Sequence, residues 1–357
     1  MLQKTHKISF YFYDTGGGDA IHIRFLGEDS NWHNILIDGG YAREYKNAFA
    51  PLIKEILAAD EVVDHWIISH IDRDHIGAVL GFLQDKTIKD KPNAVKRFIF
   101  NSTTEPIQIP SEKISVRDGI TLREYIKKSY IQSEPSINTK TKSIQVQGLQ
   151  LTILSPTPEK QKKAEDLWTE EERTMKVGRK ASQSDHAKTI AELKDLPFHQ
   201  DKDEVNGSSI AILAEFGDIK ALLLADSHPS DIEDSLSALR YSSTNPIPLS
   251  FMQLSHHGSK ANTSIELLEM VKTENFVVTG NGIHNRHPDK EALVRLLEHG
   301  KKNEIKIKIH YSCDTNELRD LFKIDAEVES CYKFETTYKE IGPENELFLF
   351  EEITDNI

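Results

Sequence analysis

The chain alternates between two spacings of apolar residues. A period of two is typical of strands, and a period of three to four is typical of helices that bury one face. The predicted strands are residues 8–13, 19–26, 33–38, 65–69, 97–100, 144–146, 149–154, 209–216, 220–225, 252–254, 276–279, 305–309 and 347–350. The predicted helices are residues 45–59, 229–239, 264–272 and 288–298, with another that begins near Ile76. This alternation predicts a mixed α/β fold.

The strand-rich segments form two groups, residues 8–155 and 207–310, as expected for two sheets. The stretch between them, 156–205, is rich in Lys, Glu, Asp and Gln and poor in large apolar residues. We predict one domain over residues 1–357, with this stretch as a polar insertion and an extension at 310–357 that carries no recognisable motif. The insertion is either a lid near a site or an ordinary helical decoration.

Composition limits the class of protein. Acidic residues outnumber basic ones by 57 to 44, which does not favour long, non-specific contact with DNA. The longest apolar stretches, such as residues 221–225, are far shorter than the roughly 20 residues that cross a bilayer. The start of the chain lacks a secretory signal pattern, and Cys313 and Cys331 form no disulfide framework or thiolate metal motif. We therefore expect a cytoplasmic protein with no membrane partner.

The strongest chemical signal lies directly after an apolar strand. Residues 70–75 place His70, Asp72, Asp74 and His75 between that strand and a predicted helix. Two imidazoles and two carboxylates this close together can serve two cations, since imidazole suits Zn, Fe and Mn and carboxylate suits Mn and harder ions. The alternative is a polar helix cap in which the histidines are incidental.

Two further polar clusters follow apolar strands. Asp226 lies just after the strand at 220–225, where α/β sheets place their ligands, and its two oxygens could bridge two ions. The alternative is that it caps the helix that follows. His256 and His257 follow the strand at 252–254, and because adjacent side chains diverge, they are not expected to bind one metal ion.

The pattern of residues 70–75 resembles the His-x-His-x-Asp-His signature of the metallo-β-lactamase superfamily, with Asp72 in place of the second histidine. This variant is similar to the ComEC/Rec2-like branch and to bacterial phosphorylcholine esterases. The other matching elements are, in chain order, Gly18-Asp19-Ala20, Ile37-Asp38-Gly39-Gly40, Asn206-Gly207-Ser208-Ser209, residues 222–226, Ser255-His256-His257-Gly258-Ser259 and His287-Pro288. The resemblance implies a four-layer αββα sandwich, in which two sheets pack face to face, helices cover both outsides and metal ions lie at one edge.

The resemblance also implies two divalent cations, Zn or Mn, as cofactors. One ion would be held by His70, Asp72 and Asp226. The other would be held by Asp74, His75, His257 and Asp226. The residues expected to take part in catalysis are Asp74, His256 and His287, and the resemblance places His256 against the substrate phosphate.

Two residues are expected to support the ligands from outside. Asp38 ends a strand before two glycines, where it either orients the histidine loop through hydrogen bonds or simply forms a turn. Asn206 stands where many members of the superfamily carry a third histidine for the first ion. Because an amide is a poor metal ligand, that position would be open or completed by water. His287 precedes Pro288 at a predicted helix start, where it either holds a phosphate oxygen or lines the capping loop.

These features favour a metal-dependent phosphodiesterase or nuclease in which a metal-bridged hydroxide attacks phosphorus. The expected partner is a phosphate ester, and single-stranded nucleic acid and nucleotides both remain open. One alternative is an enzyme with the same metal site that hydrolyses a lactone, lactam or thioester. Another is an inactive binding or scaffold module, which the asparagine at position 206 would suit.

Overall fold

The computed structural model describes residues 7–101, 122, 132–134, 136–173, 184–325, 328–339 and 346–349. Its strands are β1 (Ile8–Tyr13), β2 (Ala20–Leu26), β3 (Trp32–Asp38), β4 (Val63–Ile68), β5 (Arg97–Phe100), β6 (Gln132–Glu134), β7 (Ile144–Val146), β8 (Leu149–Ser155), β9 (Ala211–Phe216), β10 (Ile219–Leu223), β11 (Ile247–Pro248), β12 (Phe251–Gln253), β13 (Val271–Lys272), β14 (Asn275–Val278), β15 (Ile307–Tyr311), β16 (Phe334–Tyr338) and β17 (Glu346–Leu349). Its helices are α1 (Phe49–Ala58), α2 (Arg73–Gln84), α3 (Lys91–Ala94), α4 (Pro158–Arg173), α5 (Ile190–Leu193), α6 (Pro229–Ala238), α7 (Ile265–Glu269), α8 (Lys290–Lys302), α9 (Asn316–Arg319) and α10 (Val328–Cys331).

Among these residues the strands form two large sheets and a small pair, β11 with β13. The first sheet has the order β17-β1-β2-β3-β4-β5-β6, and the second has the order β16-β15-β14-β12-β10-β9-β8-β7. Each sheet has an antiparallel part and a parallel part. The parallel runs are β3 to β6 in the first sheet and β10, β12, β14, β15 and β16 in the second. Parallel strands bring their carboxyl ends to one edge, where loops can build a site.

Buried aromatic side chains connect the layers. Phe10 of β1 contacts Phe251 of β12 across the two sheets, with ring centroids 5.0 Å apart. On the outer face of the first sheet, Trp66 packs against Phe49 of α1 and Phe82 of α2, with 5.5 Å between centroids in each pair. Leucine-rich faces of α6, α7 and α8 cover the outside of the second sheet. The layers are α/β/β/α, and the predicted four-layer sandwich is confirmed.

Two details of the sequence prediction are wrong. Residues 8–155 do not form one sheet, because β7 and β8 pair with β9 and so belong to the second sheet. The last long helix, predicted over 288–298, begins at Lys290 and continues to Lys302. Gly300 therefore lies inside the helix, where a Cβ would come within 2.5 Å of the Ile307 side chain, so packing rather than helix termination explains this glycine.

The two ends of the described chain meet the sheets at their edges. β17 pairs with β1, and β16 pairs with β15. The single domain with an insertion and a C-terminal extension stays a prediction. Within the ranges that the structure describes, no helix combines the length and the apolar character needed to span a membrane.

One residue of the predicted insertion holds a distant helix. Asp185 accepts hydrogen bonds from the backbone N–H groups of Lys290 and Glu291 at 2.8 and 3.0 Å. Because these N–H groups begin α8 and have no partner within the helix, Asp185 caps a helix 105 residues further along the chain. The insertion is thereby attached to the second half of the molecule.

His22 on β2 determines part of the pH dependence of stability. Its side chain is buried, and its Nε2 donates to Oδ1 of Asn34 at 2.9 Å. Burial lowers the pKa of His22 to about 4, since a charged imidazole loses its hydration inside the sheet. The unfolded chain has an ordinary histidine pKa of about 6.5 and therefore takes up the proton first as the pH falls.

We expect this contribution to stability to be fully present above about pH 6.5 and to be lost from there towards pH 4. For this one group the loss is about 2 kcal/mol between pH 7.5 and pH 5. Urea unfolding of the chelator-treated protein at both pH values measures it, with His22→Gln as a variant that cannot titrate. The variant should lose less stability than the wild type by that amount, and equal losses would contradict the assignment.

Candidate metal centre

The candidate site lies at one edge of the sandwich, where strands of both sheets end. The loop after β4 carries His70, the loop after β10 carries Asp226, and the loop after β12 carries His256 and His257. β10 and β12 are parallel, so their carboxyl ends lie side by side. The site is thus assembled from segments far apart in sequence.

Four imidazoles converge on the carboxylate of Asp226. His75 Nε2 and His257 Nε2 lie 3.3 and 3.6 Å from its Oδ1. His70 Nε2 and His256 Nε2 lie 3.7 and 3.5 Å from its Oδ2. Each oxygen of this buried carboxylate therefore faces two imidazole nitrogens.

The two carboxylates of residues 70–75 face the same group of imidazoles. Asp72 Oδ2 lies 3.9 Å from His70 Nε2, and Asp74 Oδ2 lies 3.5 Å from His257 Nε2. Asp72 is the residue before α2, yet its side chain makes no capping hydrogen bond. This geometry does not favour the alternative of a simple polar helix cap.

Asp38 contacts the outer nitrogen of His75. Its Oδ2 accepts hydrogen bonds from His75 Nδ1 at 2.8 Å and from Ser69 Oγ at 2.6 Å, and its Oδ1 accepts from the Ser69 backbone N–H at 2.7 Å. Ser69 Oγ also lies 3.0 Å from His70 Nδ1. A neutral imidazole whose Nδ1–H is bonded to a carboxylate keeps its lone pair on Nε2, so this contact prepares His75 Nε2 to bind a cation placed beside Asp226.

Asp19 contacts His257 in the same way and was not among the predicted site residues. Its Oδ1 accepts from His257 Nδ1 at 3.1 Å and from Thr279 Oγ1 at 2.6 Å, and its Oδ2 accepts from Gln253 Nε2 at 2.7 Å. Both carboxylate oxygens of Asp19 therefore accept hydrogen bonds from protein side chains. This indicates that Asp19 orients His257 and does not itself bind metal. The sequence contained a signal for it, since Asp19 lies in the first superfamily element.

The inward-facing atoms fit divalent cations. Nε2 of His70, His75 and His257 and Oδ1 of Asp226 are buried and have no hydrogen-bond partner among the described residues. Buried polar atoms are nearly always paired, so lone pairs left around a carboxylate indicate a place for a cation. Nitrogen and oxygen ligands of this kind suit Zn and Mn. Potential ligand atoms within 4.8 Å of one another belong to Asp19, His75, Asp226 and His257.

Asp226 is the negative centre of the site. Burial acts to raise its pKa, but His256, His75 and His257 outweigh burial and hold the pKa well below its ordinary value. Burial lowers the pKa of His257, yet Asp226 and a second carboxylate raise it to about 10. For His70, burial dominates and lowers the pKa to about 4. Positive charge is therefore favoured beside Asp226.

The other predicted residues lie beside this cluster. The His287 ring is buried, its centroid lies 4.9 Å from that of His256, and its Nδ1 lies 3.4 Å from Asp289 Oδ2. Asn206 Nδ2 donates to Asp201 Oδ2 at 2.7 Å. Asp201 belongs to the insertion and was missed, because no motif or spacing links it to the site.

One family model and several solved structures are similar to the chain. A family model described as the metallo-beta-lactamase superfamily matches residues 25–121. Among solved structures, the metallo-beta-lactamase fold protein YhfI from Bacillus subtilis is 11% identical with a TM-score of 0.44, covering 97% of this chain and 99% of its own. A diphosphatase from the PhnP family is 11% identical with a TM-score of 0.36, covering 98% of each chain. Unliganded yeast PDE1 is 10% identical with a TM-score of 0.38, covering 96% of this chain and 99% of its own.

No curated protein sequence matches the chain. The structural similarities are distant and carry no argument about activity. The family match includes residues 70–75, and together with the observed layer order it supports the superfamily resemblance drawn from the sequence. The chain has the four-layer architecture expected of the metallo-β-lactamase fold, with a candidate metal centre at one edge of the sandwich.

Proposed function

We propose that the chain is a dinuclear-metal hydrolase that cleaves phosphate diesters. The observation that carries the proposal is the convergence of imidazole nitrogens on both oxygens of Asp226. A carboxylate flanked in this way can bridge two cations, and paired cations clamp the attacking and leaving oxygens of a phosphoryl group.

The ligand sets follow from the oxygen of Asp226 that each side chain faces. On the side of Oδ2, the first ion would be held by His70 and Asp72. On the side of Oδ1, the second ion would be held by Asp74, His75 and His257. When bound, such ions polarise the substrate as Lewis acids and lower the pKa of water. Asp38 and Asp19 would keep the imidazoles in the tautomer that binds metal.

The charge count of the site suits a phosphate ester. Two divalent ions would bring four positive charges, which the carboxylates of Asp72, Asp74 and Asp226 and one attacking hydroxide would balance, and open positions on the ions would bind phosphoryl oxygens. A phosphate diester supplies both the negative charge and the oxygen atoms that such a site binds. His287, buried beside His256, would then stabilise charge on the phosphoryl group or protonate the leaving oxygen.

The surroundings of the centre suit a nucleotide. The Arg43 guanidinium lies over the Tyr41 ring at 4.9 Å and 3.1 Å from His284 Nε2. Burial and the charge of Asp74 raise the pKa of Tyr41 to about 12. The Arg43 guanidinium covers one face of this ring and also lies 3.1 Å from Glu44 Oε1, so its remaining N–H groups are what it offers to a phosphate. Because acidic residues prevail overall, we propose short single strands or nucleotides rather than long duplexes as substrates.

The substituted signature supports a finer proposal. Asp72 occupies the place of the second histidine, and the structure brings its carboxylate within 3.9 Å of His70 Nε2. We therefore propose that the chain is related to the ComEC/Rec2-like branch.

A substrate comparison tests the proposed function. Chelated protein would be reloaded with Mn²⁺ or Zn²⁺, its metal content measured, and the loaded protein incubated with bis-p-nitrophenyl phosphate, short single-stranded DNA and RNA, nitrocefin and S-lactoylglutathione. We expect hydrolysis of the phosphodiesters that is lost on chelation. Loaded protein that cleaves the lactam or thioester instead would overturn the substrate class, and loaded protein that cleaves none of them would favour a binding module.

Asp38 provides a test of the metal centre itself. Asp38→Asn keeps the shape of the side chain but removes the charge that holds Nδ1 of His75. Loss of such a partner weakens metal binding by about 10–100-fold, and we expect that change in a titration with Zn²⁺ or Mn²⁺. Asp64→Asn is the matched control, since Asp64 Oδ2 lies 3.0 Å from Nδ1 of His33 on another part of the first sheet. Equal affinities of the two variants would contradict the assigned role of Asp38.

A further inference from the structure

His256 and His257 have an unusual backbone. Both adopt the left-handed conformation, with φ and ψ of 51° and 49° at His256 and 56° and 23° at His257. This conformation costs a non-glycine residue about 1–3 kcal/mol and tends to occur at functional sites. The His256 backbone N–H donates to the Ala225 carbonyl at 2.7 Å, which fixes the turn beside Asp226.

This turn changes where the two side chains point. Adjacent side chains normally diverge, which is why the sequence did not predict that both histidines bind one metal ion. In the structure the ring centroids are 5.8 Å apart, and the two Nε2 atoms face the two oxygens of Asp226 at 3.5 and 3.6 Å. Each of the two imidazoles therefore faces a different oxygen of Asp226.

The hydrogen bonds of His256 place its lone pair on the inner nitrogen. Asn262 Nδ2 donates to the carbonyls of Asp226 and Ser227 at 3.3 and 3.2 Å, which orients the amide. Its Oδ1 then faces His256 Nδ1 at 3.2 Å, and Asp201 Oδ2 lies 3.6 Å from the same nitrogen. Both are acceptors, and Asn206 Nδ2, 3.4 Å from the same nitrogen, donates to Asp201 Oδ2 at 2.7 Å instead. In the neutral imidazole Nδ1 therefore carries the proton and Nε2 keeps its lone pair.

We infer that His256 is a metal ligand, completing the site of the first ion together with His70 and Asp72. The inference rests on the proposed metal centre and departs from the role of phosphate contact that the resemblance implies. Around Oδ2 of Asp226, the distances to His256 and His70 are 3.5 and 3.7 Å, and Asp72 lies 3.9 Å from His70. A tetrahedral site with bonds of about 2.1 Å has ligands about 3.4 Å apart, so small adjustments would admit an ion.

Asn206 then has a different task. It stands where a third histidine would bind the first ion, but its Nδ2 donates to Asp201 Oδ2 at 2.7 Å and lies 3.4 Å from His256 Nδ1. The amide therefore belongs to the group that holds the outer side of His256. Asp201 is a positioning residue that acts through His256, which gives a residue of the insertion a part in the site.

Cobalt loading tests the inference with a signal that does not depend on turnover. Each imidazole bound to Co²⁺ through Nε2 gives one far-shifted, solvent-exchangeable Nδ1–H proton signal in the NMR spectrum. The wild type should show four such signals, from His70, His75, His256 and His257. His256→Asn should show three, and asparagine tolerates the left-handed backbone, so the fold should be retained. His287→Asn is the matched control and should keep four.

Metal titration provides a second measurement. Asp201→Asn should weaken the binding of one of two Co²⁺ ions by about 10–100-fold, and His256→Asn should weaken the same ion at least as much, with circular dichroism confirming the fold. Wild type with two bound ions and only three signals, unchanged by His256→Asn, would overturn the inference and leave the proposed function standing. Wild type that binds no Co²⁺ would overturn both. Two ions, four signals and no phosphodiester hydrolysis would support the inference and count against the function.

Discussion

Asp226→Ala is expected to abolish paired metal binding and to lower phosphodiester hydrolysis by about a thousandfold or more. The carboxylate faces imidazoles with both oxygens, so its loss removes a ligand from both proposed ions at once. Lewis-acid stabilisation by such ions contributes several kcal/mol to the transition state, and each 1.4 kcal/mol is about tenfold in rate. Metal content by elemental analysis and turnover of bis-p-nitrophenyl phosphate measure the two effects.

The control for this variant is Asp234→Ala, the same substitution at an exposed position of α6. It should retain both ions and full turnover, and circular dichroism of both chelated variants should match the wild type. If Asp226→Ala retained two tightly bound ions and wild-type turnover with an intact fold, the proposed centre would be wrong.

Asp325→Asn is expected to lower the free energy of unfolding by about 3–5 kcal/mol. Lys290 at the start of α8 is fully buried, and its Nζ lies 2.6 Å from Asp325 Oδ2. Asparagine keeps an acceptor for the Ile190 backbone N–H, which donates to Asp325 Oδ1 at 2.7 Å, but it leaves the lysine charge buried without a counter-charge. Urea unfolding of the chelated protein measures the change.

A double variant separates charge from shape. In Lys290→Met with Asp325→Asn, no buried charge remains, so most of the lost stability should return. A loss below about 1 kcal/mol in Asp325→Asn alone would show that the pair is dispensable.

The elements and the central motif could be predicted because their signals are local. Strands such as β1 and β3 bury alternate or nearly all of their side chains, so the spacing of apolar residues is enough to locate them. His70, Asp72, Asp74 and His75 occur within six residues after β4, so their proximity needs no tertiary information. The order of later motifs then supported the four-layer fold.

Two supports of the site, Asp19 and Asp201, and the direction of His256 were not predicted, because their roles depend on long-range contacts and backbone conformation. Asp19 lies 238 residues before His257, and no periodicity links the two. Asp201 lies in a polar stretch whose composition indicates only solvent exposure. The direction of His256 depends on a left-handed turn that an ordinary pair of histidines does not reveal. The sequence therefore left the role of the insertion open between a lid and a helical decoration, and it gave the C-terminal extension no role.

The centre is shared between the two β-sheets, since His70 and His75 follow a strand of one sheet and Asp226 and His257 follow strands of the other. Ions held there would cross-link the two halves of the sandwich. A fragment containing only one sheet would keep part of the coordination sphere and could not assemble the rest. In the proposed centre, metal affinity would thus report on correct docking of the two halves, and cofactor loading would check that folding is complete.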